Sequence, residues 1–248
     1  MGKLLFEVCV EGIDAVAAAE AAGADRIELC ASLMEGGLTP SFGTIKAALE
    51  HAHIPVYPMI RPRGGDFLYS ELEFQTMLAD VTACREMGVK GVVFGCLTPE
   101  AAFDEPRMQA LVDAAGPMDT TSHRAFDMTR DPAEAVDALV RCGVKRVLTS
   151  GLRDTALEGL DNLARTVKHA NGRLIVMACG GLTADNIAKV REATGVREMH
   201  FAALTQAPSA MSWHNPHVGM GSADKAREYQ LTVTDPALVA ATIASAGG

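Results

Sequence analysis

Short apolar runs alternate with longer amphipathic runs along most of the chain. Turn residues bound the short runs, as is typical of buried strands, while the longer runs repeat their apolar positions with the period of a helix. The pattern predicts eight strands, at residues 4–10, 26–30, 55–60, 91–95, 118–123, 146–150, 174–178 and 196–201. Between them it predicts helices near residues 14–22, 41–51, 70–87, 104–115, 132–142, 159–170 and 183–193. Ser70, Asp131 and Thr183 are the predicted capping residues at three of the helix starts.

Strands that alternate with helices predict a parallel sheet with right-handed crossovers. Eight such units favour a closed (β/α)8 TIM barrel, an α/β fold, over an open doubly wound sheet. The 248 residues, 48% of them hydrophobic, are enough to fill the core of a single barrel domain. We expect the barrel over residues 1–203. Residues 204–248 are expected to be a C-terminal extension packed on the barrel, with a polar loop followed by a last helix.

Composition and charge narrow the classes of function. The net charge of −9 and an aromatic content of only 5% argue against nucleic-acid binding, which needs basic patches or stacking platforms. No apolar run reaches the ~20 residues of a membrane span. The N-terminus lacks the features of a signal peptide, and six scattered cysteines without a CxxC motif indicate reduced thiols. We therefore expect a cytoplasmic protein without membrane or nucleic-acid partners.

The polar side chains of interest lie near the ends of the predicted strands, which form the functional face of such a barrel. Because side chains alternate along a strand, their parity separates the lumen from the outer surface. The inward parity gives a barrel mouth lined by Glu7, Cys9, Glu28, Cys30, Arg61, His123 and His200.

A compact polar corner follows the third strand. The segment "RPRGGDF" contains Arg61, Arg63, two glycines and Asp66. Buried carboxylates are unfavourable unless they are paired, so one interpretation is that the two arginines neutralise Glu7 and Glu28. The other is that the arginines bind an anionic ligand, because guanidinium groups suit carboxylates and phosphates. The two interpretations are compatible, and the sequence leaves both open.

Two cysteines lie at equivalent places on the first two strands. The segments "EVCV" and "IELC" each place a glutamate two residues before a cysteine, and adjacent strands lie ~4.8 Å apart. If the register allows it, Cys9 and Cys30 can share one soft ion such as Cu(I). The alternative is that both are buried packing residues, a common role of cysteine.

The segment "SHRAFD" after the fifth strand supplies further candidates. His123 lies beside Arg124 and Asp127, and His200 ends the eighth strand. A histidine in such a place can be a general base or a metal ligand, and Glu28 is a second acid–base candidate. The alternative is a polar network that only holds the barrel together.

Two glycines end the seventh strand, directly before a predicted helix. In this fold such a turn often binds phosphate through backbone N–H groups, so Gly180 and Gly181 are anion-binding candidates. The alternative is a tight strand-to-helix turn without a ligand.

These segments resemble the copper homeostasis protein CutC family. The motifs that carry the resemblance are "EVCV", "GADRIELC", "EGGLTPSFG", "IRPRGGDFLYS", "HRAFDM", "RVLTSG" and "ALEGL", in this order along the chain. The resemblance implies a cytoplasmic (β/α)8 barrel, usually a homo-oligomer, that handles copper. It also implies that Cys9 and Cys30 are the Cu(I) ligands. Three residues depart from the family pattern: Cys179 replaces a glycine, His214 replaces an arginine and Cys96 replaces a small residue.

Two hypotheses about function follow. The first is a Cu(I)-binding protein of copper homeostasis. The second is an enzyme, with no activity assigned, that acts on a small anionic or phosphorylated metabolite at the same mouth. In that case Glu28 or His123 would be the acid or base, and the anion would be held by Arg61, Arg63, Gly180 and Gly181. A third possibility is a binding scaffold without chemistry.

Overall fold

The computed structural model describes residues 3–220 and 225–247. Its main sheet has eight parallel strands: β1 (Leu5–Glu11), β2 (Arg26–Cys30), β3 (Val56–Pro58), β4 (Gly91–Phe94), β5 (Asp119–Ser122), β6 (Arg146–Thr149), β7 (Ile175–Ala178) and β8 (Glu198–Phe201). The helices between them are α1 (Ile13–Ala21), α2 (Phe42–His51), α3 (Glu71–Glu86), α4 (Glu105–Ala115), α5 (Pro132–Arg141), α6 (Leu160–Ala170) and α7 (Ile187–Thr194). Short 3-10 helices lie at Leu33–Glu35, Arg124–Met128 and Lys225–Tyr229.

The sheet closes into a barrel. Its strand order is β3-β2-β1-β8-β7-β6-β5-β4, and a parallel bridge between Met59 and Val93 joins the two edge strands. The N–H of Ile60 donates to the carbonyl oxygen of Val93 at 2.7 Å, which completes this seam. The predicted (β/α)8 TIM barrel is confirmed.

Side-chain parity separates two apolar regions, as the sequence indicated. The outward side chains of the strands pack under the helices in one large core, to which Val8 and Ile27 belong. The lumen holds two smaller clusters. One contains Cys9, Cys30 and Met59 among its members, and the other consists of Leu148, Met177 and Cys179.

Two of the three predicted helix caps are confirmed. Ser70 forms a complete capping box with Glu73, and the side chain of Asp131 accepts the N–H groups of the first turn of α5. The third prediction is wrong, because α7 begins at Ile187 rather than near Thr183. Asn186 explains the delay, since its side chain accepts the N–H of Thr183 and closes a tight turn before the helix.

The C-terminal extension contains a hairpin that the sequence pattern did not reveal. Strands β9 (Leu204–Pro208) and β10 (Gln230–Thr234) pair antiparallel, and helix α8 (Pro236–Ala246) follows, as predicted. Most residues of the two strands are exposed, so no clear apolar alternation marked them. Helix α8 packs against α1 and α7, and β10 also contacts α1. Across the described ranges, no helix has both the length and the apolar character needed to cross a membrane.

Candidate functional site

A network of buried charges fills the lumen below the mouth. The guanidinium of Arg26 donates to Glu7 and, at 2.7 Å, to Glu198. Arg146 donates to the same Glu198 carboxylate, at 3.2 Å to Oε1. The register of β1 and β2 places Glu7 directly opposite Arg26, so the pair follows from the strand alignment. Four buried charged groups therefore neutralise one another inside the barrel.

The expected pairing of Arg61 and Arg63 with Glu7 and Glu28 is wrong. Arg26 reaches Glu7 first because it already points inward from β2. Arg61 instead donates through its Nη atoms to backbone carbonyl oxygens of the loops above the barrel, those of Glu35, Gly37 and Gly65. Arg63 is partly exposed and pairs with Glu73 at 2.7 Å and with Asp66 at 3.1 Å. Two features of the sequence pointed to the pairing of Arg26 with Glu7. Arg26 has the inward parity on β2, and its charge is opposite to that of Glu7 on the adjacent strand.

His200 lies between the two buried glutamates. Its Nδ1 is 2.7 Å from Oε1 of Glu7, and its Nε2 is 3.7 Å from Oε2 of Glu28. Burial alone would lower the pKa of His200, but the charges of Glu28 and Glu7 raise it well above its usual range. Burial would likewise raise the pKa of Glu7, yet Arg26 and His200 lower it to about 2. His200 is thus a buried imidazolium, paired on both sides.

The two cysteine sulfurs meet at the top of this network. Cys9 lies opposite Glu28 in the register and Cys30 lies two residues further along β2, so the cysteines are diagonal neighbours. Their Sγ atoms are 3.8 Å apart, and Sγ of Cys30 is 3.6 Å from Oε2 of Glu28. One ligand atom from each of Cys9, Glu28 and Cys30 lies within 4.8 Å of the others. The arrangement can hold one metal ion.

Both thiols are protonated at neutral pH in the ion-free site. The contact with Cys30 and burial raise the pKa of Cys9 well above its usual range. The contact with Cys9 lowers the pKa of Cys30, but burial and the charge of Glu28 outweigh it and raise the pKa to about 11. A metal ion that binds here must therefore displace protons.

A second set of ligand atoms, from Glu7, Glu28 and His200, also lies within 4.8 Å. Both ring nitrogens of a protonated histidine carry hydrogens and cannot bind a metal. This set is therefore better explained as an ion-paired network than as a metal site.

A cavity of about 250 Å³ opens above the sulfurs at the C-terminal ends of the strands. Eight of the residues singled out from the sequence line it: Cys9, Glu28, Arg61, His123, Arg124, Gly180, Gly181 and His200. Cys179, which departs from the family pattern, also contributes to the wall.

The remaining predicted site residues lie outside the cavity. Glu7 and Cys30 are behind the wall and contact His200 and Cys9, respectively. Arg63 and Asp66 form a surface ion pair in the loop after β3. The carboxylate of Asp127 is already hydrogen-bonded. It accepts N–H and O–H groups from the loop after β6, including the N–H and the Oγ of Ser150.

His123 has a defined tautomer. Its Nδ1 accepts the N–H of Ala125 at 3.1 Å, so the proton of the neutral ring is on Nε2. Burial and the nearby charge of Arg61 lower the pKa of His123 to about 3, which keeps the ring neutral at physiological pH. A base role through Nδ1 is thus blocked by the Ala125 contact, and Nε2–H is a hydrogen-bond donor. In the described part of the chain, no acceptor meets this donor.

Comparison with known proteins identifies the family. The model of the CutC family matches residues 4–205. The chain belongs to the CutC family. It is 63% identical to the family protein CutC of Mesorhizobium japonicum, over 98% of this chain and 94% of that protein. It is 44% identical to the human copper homeostasis protein cutC homolog, over 93% of this chain and 85% of that protein.

Solved structures agree with this membership. A crystal structure of CutC from Streptococcus agalactiae superimposes with a TM-score of 0.77 at 34% identity, covering 80% of this chain and 98% of that one. N-(5'-phosphoribosyl)anthranilate isomerase from Pyrococcus furiosus gives a TM-score of 0.58 at 14% identity, covering 98% of both chains. At that identity the second similarity shows the barrel fold alone. The family resemblance that the sequence motifs indicated is confirmed.

Proposed function

We propose that this CutC family member binds Cu(I) through Cys9 and Cys30 and handles copper in the cytoplasm. The main support is the distance of 3.8 Å between the two sulfurs at the top of the barrel lumen. Soft thiolate ligands select Cu(I). The name of the human relative, copper homeostasis protein cutC homolog, agrees with this role.

The sulfur separation also suggests how the ion is held. With metal–sulfur bonds of about 2.3 Å, as in zinc thiolate sites, two sulfurs 3.8 Å apart hold an ion to one side of the line between them. The coordination is then bent, and a third ligand has room to approach. Because Cys9 lines the cavity, an ion on that side is reached from the barrel mouth.

The charges around the sulfurs suit a bound cation. Two thiolates and Cu(I) carry one net negative charge, which is unfavourable in a buried place unless it is compensated. The interaction with His200 acts to lower the pKa of Cys9 and so favours its thiolate. His200 is a cation next to this site, since its Nε2 lies 3.7 Å from Oε2 of Glu28, the carboxylate beside Cys30.

Anaerobic titration of the reduced protein with Cu(I), against a competing chelator, tests the proposal. We expect one ion per chain. Cys9→Ser and Cys30→Ser should each weaken binding about a hundredfold or more, because a hydroxyl is a poor ligand for a soft ion. Cys84→Ser is the matched control, since Cys84 is equally buried but lies in α3. Equal affinities of Cys9→Ser and the unaltered protein would sink the proposal.

Cytoplasmic location and self-association are parts of the same proposal. All six cysteines are free and buried, which suits a reducing compartment. The C-terminal extension exposes several large apolar side chains, namely Met211, Trp213, Met220 and Leu231. These exposed side chains, grouped in the C-terminal extension, are the support for a homo-oligomer. Light scattering on the purified protein gives the number of chains.

Catalysis on a small anionic metabolite is a second candidate function. It is favoured by polar atoms at the cavity that lack partners among the described residues, including Oε1 of Glu28. Since Nδ1 of His123 is occupied, Glu28 is the better acid–base candidate of the two. A screen of metabolites for turnover by the copper-free protein tests this function.

A further inference from the structure

We propose that the wall of the mouth cavity around Arg61 and His123 is a binding subsite for the carboxylate or phosphate group of a small organic molecule. The proposal depends neither on Cu(I) binding nor on catalysis. It is based on two buried donors, Nε of Arg61 and Nε2 of His123, neither of which makes a hydrogen bond of normal geometry in the described part of the structure. The neutral hydroxyl of Tyr69 interacts with Arg61 but supplies no counter-charge.

Arg61 is a buried cation without a counter-ion. Its side chain is only 6% exposed, and it forms no ion pair with any carboxylate of residues 3–220 and 225–247. Its Nη atoms are held by carbonyl oxygens at 2.5, 3.2 and 2.8 Å, which fix the guanidinium but do not neutralise its charge. A buried charge is strongly unfavourable unless it is paired, so an anion is expected beside Arg61.

His123 adds a second donor of the right kind. The hydrogen bond from Ala125 fixes the ring, and the neutral tautomer carries its hydrogen on Nε2. A guanidinium N–H and an imidazole N–H can donate to two oxygens of one carboxylate or phosphate group. A buried donor without an acceptor is destabilising. A ligand that supplies an acceptor oxygen to each of the two donors would remove this destabilisation.

The ring of Phe67 packs on both side chains. Its centroid is 5.0 Å from the guanidinium carbon of Arg61 and 4.8 Å from the ring centroid of His123. Phe67 is partly exposed and lies in a loop, and it lines the cavity together with Arg61 and His123. Neither donor atom is exposed to solvent, so on this proposal the ring of Phe67 turns aside to admit the oxyanion.

The rest of the cavity defines the other part of the ligand. Met59, Leu148 and Phe201 line it, so the molecule carries a short apolar segment next to its anionic group. The volume of about 250 Å³ is below the usual range of drug-sized sites, which indicates a small metabolite.

Titration of the reduced, copper-free protein at constant ionic strength tests the subsite. The probes are acetate, pentanoate, inorganic phosphate and, as the uncharged match of pentanoate, pentanol. Binding is measured from ligand-induced thermal shifts, and the imidazole Nε2–H signal of His123 in NMR spectra locates it. We expect saturable binding of pentanoate or phosphate that perturbs this signal, and no binding of pentanol. The response of pentanoate relative to phosphate tells which anionic group the subsite prefers.

Four variants decide whether these residues form the subsite. His123→Asn keeps an acceptor for the N–H of Ala125 but removes the Nε2 donor. It should therefore weaken binding of the anion about tenfold or more. Arg61→Lys should also weaken binding of the anion. Phe67→Ala should bind the anion at least as tightly as the unaltered protein does. Arg63→Gln is the matched control, because Arg63 belongs to the same loop but not to the cavity.

Three results would overturn the subsite. They are the absence of saturable binding for every anion, equal binding of pentanol and pentanoate, and unchanged affinity in His123→Asn. If Arg61→Lys does not fold, His123→Asn and Phe67→Ala still give the answer. None of these results bears on the Cys9–Cys30 pair, which the copper titration tests by itself.

Discussion

At the scale of single residues, one glycine sets the position of a candidate copper ligand. A Cβ atom on Gly37 would lie 2.8 Å from Sγ of Cys30, and the backbone of Gly37 has a φ of +88°. Only a residue without a side chain lets the loop after β2 approach the sulfur so closely. The motif "EGGLTPSFG" thus has a physical reason next to the cysteine pair.

Gly37→Ala should displace the Cys30 sulfur and weaken Cu(I) binding about tenfold or more, through loss of ligand geometry. The matched control is Gly88→Ala. Gly88 has a φ of +81°, and a Cβ there would meet nothing within 4 Å. Both variants should lose stability through backbone strain, on the order of 1–2 kcal/mol. Chelator competition and urea unfolding separate the two effects. Equal copper affinity in both variants would show that the contact with Cys30 is unimportant.

His123 should make the protein sensitive to acid. Its pKa is about 3 in the folded state, whereas an unfolded histidine titrates near 6.5, so the unfolded chain binds the proton first. The stabilising contribution of the neutral ring is complete above pH about 6.5 and is lost as the pH falls toward 3. His123→Asn removes this titration, so its unfolding free energy should fall less steeply over that range, by up to about 1.4 kcal/mol per pH unit. Urea denaturation at several pH values measures the slope, and an unchanged slope contradicts the prediction.

At the scale of elements, the alignment of β1 with β2 determines what the lumen contains. The register puts Glu7 opposite Arg26 and Cys9 opposite Glu28. The ion pairs therefore lie deeper in the lumen, and the sulfurs lie nearer to the mouth. A shift by one residue would turn each of these side chains to the helices. The ion pairs and the cysteine pair therefore depend on the same strand pairing.

Arg26→Met tests the buried network at this scale. It leaves three buried carboxylates, those of Glu7, Glu28 and Glu198, with only two cations, Arg146 and His200. One buried negative charge is then uncompensated, so we expect a loss of about 3–5 kcal/mol in the free energy of unfolding. Lys3→Met is the control, because Lys3 forms an exposed ion pair with Asp25, and such pairs contribute about 0–1 kcal/mol. Equal losses in the two variants, measured by urea unfolding, would contradict a structural role for the network.

Elements with a strong apolar period were predictable, and contacts between loops were not. The eight barrel strands and the helices between them followed from the pattern, because each buries one face or stripe. Strands β9 and β10 were missed because they are mostly exposed. The partners of Arg61 were missed because they are backbone carbonyl oxygens. Every residue has one, so residue type does not predict which of them accepts a hydrogen bond. The sulfur contact needed the register, which parity alone does not supply.

At the scale of the whole molecule, the barrel brings distant parts of the chain to one mouth. The cavity takes residues from the ends of β1, β2 and β8 and from the loops after β3, β5 and β7. One side of it presents Cys9, with Cys30 directly behind, and another presents Arg61 and His123. The proposed copper site and the proposed anion subsite therefore share a single cavity, and each has its own test.

X-ray absorption at the copper edge of the Cu(I)-loaded protein is the decisive test of the Cys9–Cys30 copper site, because it counts the sulfur atoms bound to the metal. We predict two sulfur ligands in the unaltered protein and in Cys84→Ser, and fewer in Cys9→Ser and Cys30→Ser. Copper bound only by nitrogen and oxygen, or a sulfur count that the Cys9 and Cys30 variants leave unchanged, would show that these two cysteines do not hold the ion. The two cysteines would then be packing residues of the barrel lumen.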